Sequence, residues 1–125
     1  MTAKRILIAE DEPNIAHSLT FLLERAGFDV RHVIDGDAAL RSVETEAPDL
    51  LILDLMLPGI DGYEVLGRLR SEAAPQEIPV IVLTAKGQPE DRRTALESGA
   101  TLFITKPYSN AAMVDAVVRL VAADD

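Results

Sequence analysis

Four places in this sequence carry side chains that could do chemistry together. They are Glu10-Asp11-Glu12, Asp54, Thr84 and Lys106-Pro107, and each follows an apolar run: residues 5–9, 49–53, 78–83 and 101–105. Carboxylates brought close together oppose one another's ionisation. A hard divalent cation removes that cost, and Mg²⁺ in particular takes one or two carboxylates, phosphate oxygens and several waters. Asp11 and Asp54 are expected as direct ligands and the backbone carbonyl of Met56 as a third, with Glu10 reaching the ion directly or through water. A carboxylate can also act as a nucleophile and form an aspartyl phosphate. Phosphoryl transfer spreads negative charge over the equatorial oxygens, so its catalysis is mostly positioning and electrostatics. The ion suits one such oxygen, the Lys106 ammonium another and the Thr84 hydroxyl a third.

These groups need a scaffold that gathers the ends of separate strands. Strand-like and helix-like segments alternate along the chain. Residues 5–9 read as a first strand, and residues 13–26 place Ile15, Leu19, Leu22, Leu23 and Ala26 at helical spacing. Pro13 suits the first helical turn and Gly27 its end. A second strand over 28–33 and a modest amphipathic helix over 36–46, with Ala39, Leu40 and Val43, come next. The near-continuous apolar run 49–53 fits a central parallel strand covered on both faces. Pro58 and Gly59 break the chain before a helix over about 61–71, with Val65, Leu66 and Leu69 inward.

Residues 78–83 form a fourth strand, with Pro79 confined to its beginning. A mostly polar helix over 89–98 has Ala95 and Leu96 as its main apolar anchors and is expected to be the least stable. Residues 101–105 make a fifth strand, and residues 110–122 a last helix with Met113, Val114, Val117, Val118 and Val121. Five strand–helix pairs imply an α/β three-layer sandwich, doubly wound, (βα)5, around a parallel sheet. In such sheets, ligands bind beyond the carboxyl ends of the strands, where the four reactive places lie.

Composition narrows the function. A length of 125 residues fits one domain, and an apolar share of 48% is ordinary for a globular protein. With no cysteine, a disulfide framework, a thiolate zinc site and a cysteine nucleophile are excluded. No apolar run reaches the ~18 residues of a membrane span, and the start of the chain does not read as a signal peptide. A net charge of −9 repels phosphate backbones, so no direct nucleic-acid binding is expected.

The acidic pair Glu10-Asp11, the segment Asp54-Leu55-Met56-Leu57-Pro58-Gly59-Ile60-Asp61-Gly62, Thr84-Ala85 and Lys106-Pro107 together resemble the receiver domains of bacterial response regulators. The resemblance covers essentially the whole chain and implies a five-stranded sheet of order 2-1-3-4-5. It makes Asp54 the phosphoacceptor, Thr84 the switch hydroxyl, Lys106 the phosphate-pairing lysine and Phe103 the switch aromatic. Phe103 stands where many relatives have Tyr, so a relay through a hydroxyl is not available there. Pro107 is expected to follow a cis peptide bond.

Two positions beyond Asp54 and Thr84, Met56 and Lys86 flank the path of an attacking water. Neither offers a carboxylate or amide to orient that water, so a long-lived phosphoryl group is expected. The resemblance further implies a cytoplasmic switch that receives its phosphoryl group from a sensor histidine kinase or histidine phosphotransfer protein. Such a switch is no enzyme beyond its own phosphorylation and dephosphorylation. Residues 1–125 are expected to form a single receiver domain without an output domain, either standing alone or cut from a longer DNA-binding regulator or hybrid kinase.

Many DNA-binding relatives dimerise through the fourth helix, fifth strand and fifth helix by ion pairs. Arg92 and Glu97 match two of those positions, but Thr101, Leu102, Ala112 and Ala116 stand where the other charges belong. A monomer or weak dimer and a heterologous output protein are expected instead.

Other readings compete. An aspartyl-phosphate phosphatase wants a second Asp two residues after the nucleophile, where this chain has Met56. A flavin carrier wants a phosphate-binding loop after the first strand, where Glu10-Asp11-Glu12 would repel it. A scaffold that only mimics a receiver normally lacks part of the pocket. Glu12 and Asp61 read as solvated acids, Arg92-Arg93 as a solvated helix face, and His17 and His32 as isolated residues.

Overall fold

In a computed structural model, which describes residues 3–71, 77–85 and 88–122, the alternation is realised in full. The elements are β1 (Arg5–Ala9), α1 (Pro13–Arg25), β2 (Asp29–Val33), α2 (Gly36–Glu46), β3 (Leu50–Leu53), α3 (Gly62–Leu69), β4 (Val80–Thr84), α4 (Pro89–Glu97), β5 (Leu102–Thr105) and α5 (Asn110–Ala122). The strands pair in the order β2-β1-β3-β4-β5, all parallel. Every residue of β3 and β4 is buried, as the unbroken apolar runs require of strands covered on both faces.

Leu19 and Leu23 of α1 and Met113, Val117 and Val121 of α5 cover one face of the sheet. Ala39 and Val43 of α2, Val65, Leu66 and Leu69 of α3 and Ala95 of α4 cover the other. The chain runs outward from β1 to β2 and then crosses to β3 on the far side. The carboxyl ends of β1 and β3 therefore flank a topological switch point, where helices leave in opposite directions and a crevice opens.

Helix starts follow the local sequence. Asp35 and Asp61 cap α2 and α3, accepting from the backbone N–H of Ala38 at 2.8 Å and of Glu64 at 2.9 Å. Asp61 is thus a structural cap rather than simply a solvated acid. Pro13 and Pro89 open α1 and α4, neither of which has a side-chain cap. Gly62 lets α3 begin hard against the site, since a Cβ there would lie 2.5 Å from the Leu55 Cα.

Two apolar expectations fail. Leu96 of α4 is 39% exposed and Val118 of α5 is 45% exposed, leaving Ala95 as the one fully buried side chain of α4 among its described residues. A nine-residue helix with so few apolar positions does not fix its own rotational phase, and the sheet decides which residue turns inward.

The far end of α4 is held from outside. Arg70, just past α3, donates from Nη2 to the carbonyls of Ile78 (2.7 Å) and Gly99 (3.0 Å) and from Nε to Gly99 (3.2 Å). Burial lowers the pKa of this guanidinium from its ordinary value. Gly99 has φ +117°, and a Cβ there would stand 2.6 Å from Arg70 Cγ, so both its backbone shape and the close approach require glycine. Thr101 also serves the frame, exchanging bonds with Val80 through its own N–H (2.8 Å) and Oγ1 (3.0 Å). Among the described residues, no helix is long and apolar enough to cross a membrane.

Candidate functional site

Asp54 follows the last residue of β3, and its backbone N–H donates to Ala9 O at 3.1 Å, extending the β1–β3 ladder by one bond. Its side chain is consequently carried to the switch point, where it is almost fully buried. Beyond it the chain alternates: Leu55 and Leu57 are buried, while Met56 is 60% exposed. Those two leucines join the core under α2 and α3 and leave Met56 outside. The Met56 N–H then donates to Asp54 Oδ1 at 2.9 Å.

Glu10 follows β1 and is also buried. Its N–H donates to Val33 O at 3.1 Å, and its Oε2 accepts from the Glu12 N–H at 3.1 Å. Lys106, just past β5, reaches across the pocket. Its Nζ donates to Glu10 Oε1 at 2.7 Å and to Asp54 Oδ2 at 3.0 Å. One ammonium thereby sits between two buried carboxylates drawn from opposite sides of the switch point.

The charges adjust to this packing. Burial raises the Glu10 pKa, and the Asp54 charge adds to the rise against the hydrogen bonds from Lys106 and Glu12. Burial alone would lower Lys106. Its bonds to Glu10 and Asp54, with their charges, together outweigh burial and hold its pKa above the ordinary lysine value. The two carboxylates therefore favour the charged form of the lysine.

Asp11 differs from its neighbours. It is exposed, and its carboxylate takes no hydrogen bond from the described residues. Carboxylate oxygens of Glu10, Asp11 and Asp54 all lie within 4.8 Å of one another. That span and that all-oxygen donor set fit a hard divalent cation held directly or through water.

Thr84 closes β4, two residues past Val82, the partner of Leu53, and is fully buried. Its carbonyl accepts the Lys106 N–H at 2.9 Å, so the hydroxyl-bearing and ammonium-bearing residues are tied backbone to backbone. Phe103 pairs with Val82 and is buried in the cluster beneath α2, α3 and α4. The Lys106–Pro107 peptide bond is cis. Lys86 lies outside the described residues. His17 is exposed on α1, and Arg92 and Arg93 are exposed on α4.

His32 is not isolated. Its Nε2–H donates to the backbone carbonyl of Glu10 at 2.6 Å. Only the register of β1 against β2, which pairs Ile8 with His32, could have disclosed this; spacing along the chain does not.

Comparisons with known proteins agree with the geometry. Residues 6–118 match the family model of the response regulator receiver domain. The chain is 42% identical over 123 residues to the phosphate regulon transcriptional regulatory protein PhoB of Escherichia coli, covering 96% of this chain and 54% of that protein. It thus spans about half the length of the curated relatives it matches. The receiver domain of a Francisella response regulator superposes with a TM-score of 0.91 at 30% identity, covering 98% of this chain and 99% of that one. The receiver domain of a sensor histidine kinase from Pseudomonas aeruginosa, whose structure has a magnesium ion coordinated in the active-site cleft, gives a TM-score of 0.86 at 30% identity. It covers 97% of this chain and 99% of that one.

Proposed function

The chain belongs to the response regulator receiver domain family of two-component signalling, and we propose that it switches by accepting a phosphoryl group on Asp54. The observation that carries the reading is the single Lys106 ammonium within 3.0 Å of both Asp54 and Glu10. In the transfer, an Asp54 carboxylate oxygen forms a bond to phosphorus as the bond from phosphorus to the donor breaks. A phosphohistidine of a sensor kinase or phosphotransfer protein, or a small donor such as acetyl phosphate, supplies the group. Lys106 is placed to follow a phosphoryl oxygen as charge moves from the carboxylate onto it. The buried Thr84 hydroxyl is the candidate to close on another oxygen.

Asp11, Asp54, the Met56 carbonyl and Glu10 are the residues that would hold Mg²⁺, which supplies charge neutralisation at the phosphoryl oxygens when bound. Glu10 already serves Lys106 and the Glu12 N–H, and Asp54 serves Lys106 and the Met56 N–H. The open carboxylate of Asp11 is therefore the principal direct ligand. Intact mass measured with acetyl phosphate and Mg²⁺ tests the assignment. The expected result is a gain of one phosphoryl group, which does not form when EDTA is present from the start and is absent from Asp54→Asn. Equal labelling of Asp54→Asn would refute it.

The exposed Met56 supports slow loss of the phosphoryl group, since it offers water nothing to bond. Met56→Asn with Lys86→Glu should speed dephosphorylation. Outward-facing Leu96 and Val118, with Ala112 exposed on α5, support a heterologous protein partner on the α4–β5–α5 face and a monomer or weak dimer. Light scattering with and without phosphorylation checks this. A phosphorylation-induced dimer broken by Arg92→Glu would overturn it. The shorter length relative to the transcriptional regulators it matches favours a second reading, a receiver portion of a longer DNA-binding regulator.

A further inference from the structure

Of the three clustered carboxylates, Asp11 is the one whose orientation its own side chain does nothing to fix. Glu10 and Asp54 are buried and bonded at both oxygens. Asp11 is exposed, and among the described residues its carboxylate has no hydrogen bond. Where it points is set by the backbone that carries it.

That backbone is held from β2. Glu10 N–H donates to Val33 O at 3.1 Å, the last regular rung between the two strands. The next rung is made by a side chain. His32 Nε2–H donates to Glu10 O at 2.6 Å. The Glu10 carbonyl and the Asp11 N–H belong to one planar peptide. Fixing the carbonyl fixes the plane from which the Asp11 Cα departs. The Glu12 N–H, bonded to Glu10 Oε2 at 3.1 Å, holds the far side of Asp11.

We infer that His32 is a positioning residue for metal binding, orienting Asp11 through its hydrogen bond to the Glu10 carbonyl. The inference rests on the reading of Glu10, Asp11 and Asp54 as the Mg²⁺ site. His32 touches neither the ion nor the phosphoryl group. Its contribution is entropic: without the bond, the peptide rotates, and the ion must select the productive fraction of orientations. Neighbours that hold metal ligands in place typically matter tenfold or more for affinity.

Titration calorimetry of the whole chain with MgCl₂, on the unsubstituted protein, His32→Ala, His32→Gln and Asp11→Asn, tests this. The Gln side chain places an amide N–H near the position of imidazole Nε2. His32→Ala should weaken Mg²⁺ binding by about tenfold, and His32→Gln should recover most of the loss. Asp11→Asn should abolish binding. Amide exchange in the metal-free protein gives a second readout, with faster exchange at Glu10 and Glu12 in His32→Ala but not in His32→Gln. Unchanged affinity in His32→Ala, or equal losses in the Ala and Gln variants, would overturn the role of His32 and leave the metal site standing. Failure of the unsubstituted chain to bind Mg²⁺ would overturn the metal site itself, and this role with it.

Discussion

At the switch point, β1 and β3 meet with every residue from Ile6 to Ala9 and from Leu50 to Leu53 buried, and the buried acids Glu10 and Asp54 follow directly from those strands. α4, by contrast, rests on the sheet through Ala95 alone among its fully buried side chains, has no side-chain cap at its start, and presents Leu96 outward. One region is closed by fully buried side chains on both strands, and the other carries little buried side-chain surface. A phosphorylation switch needs both, because placement of the phosphoryl group must be fixed while the surface that reports it must have a low-lying alternative.

The contrast is exposed most directly by removing core volume from the rigid side. Leu53→Ala empties a fully buried position on β3 and should cost about 3 kcal/mol in urea denaturation. A loss below about 1 kcal/mol would mean that the switch point is far softer than its packing.

Lys106→Met should follow closely. It leaves Glu10 and Asp54 facing each other without their shared cation, a change of about 3 kcal/mol for a buried charge left uncompensated. Mg²⁺ should restore part of the loss. If the variant is as stable as the parent in EDTA, the lysine is not what holds those acids together.

Arg70→Ala removes the clasp at the end of α4 and should cost about 2 kcal/mol, the order expected for charged hydrogen bonds to part-buried carbonyls. Arg70→Lys should recover little, because an ammonium cannot reproduce the fork that reaches Ile78 and Gly99 together.

Phosphorylation should alter amide exchange in α4 and β5 by about tenfold, equivalent to ~1.4 kcal/mol, with Thr84→Ala accepting the phosphoryl group but losing most of that response. A change confined to the neighbourhood of Asp54 would erase the proposed division of labour. The smallest effect is expected from Leu96→Ala, within about 0.5 kcal/mol of the parent. A cost above ~1 kcal/mol would show that Leu96 also anchors α4.

Much of this was legible without coordinates because it is local. Unbroken apolar runs marked β3 and β4, and proline and glycine marked helix ends. The rule that ligands sit beyond the carboxyl ends of parallel strands joined Glu10, Asp11, Asp54, Thr84 and Lys106 before any distance was known. What stayed hidden depends on register and rotation. His32 meets the Glu10 carbonyl only because Ile8 pairs with His32, and Arg70 meets Gly99 across 29 positions of sequence. The phases of α4 and α5 also failed to follow from periodicity, so Leu96 and Val118 face outward although their apolar character places them in the core. Strand limits shifted by one or two residues, as at β4, where Pro79 accepts a bond from Leu51 N–H yet precedes the strand.

The Arg70 clasp gives α4 the mechanics of a lever. Its carboxyl end is held through Gly99, while its first turn has no side-chain cap and is tied only by the longer bonds from the Tyr63 hydroxyl to Asp91 Oδ1 (3.4 Å) and the Asp91 carbonyl (3.5 Å), among the bonds described. Nine helical residues measure about 13 Å along the axis. Pivoting about the pinned end by roughly ten degrees would sweep the opposite end through about 2 Å, on the scale of helix shifts known to change interfaces. The fulcrum and the load are thus at opposite ends of one short helix. A displacement too small to disturb the pocket is magnified toward Pro89, and a substitution at Gly99 would change the leverage without touching a single reactive group.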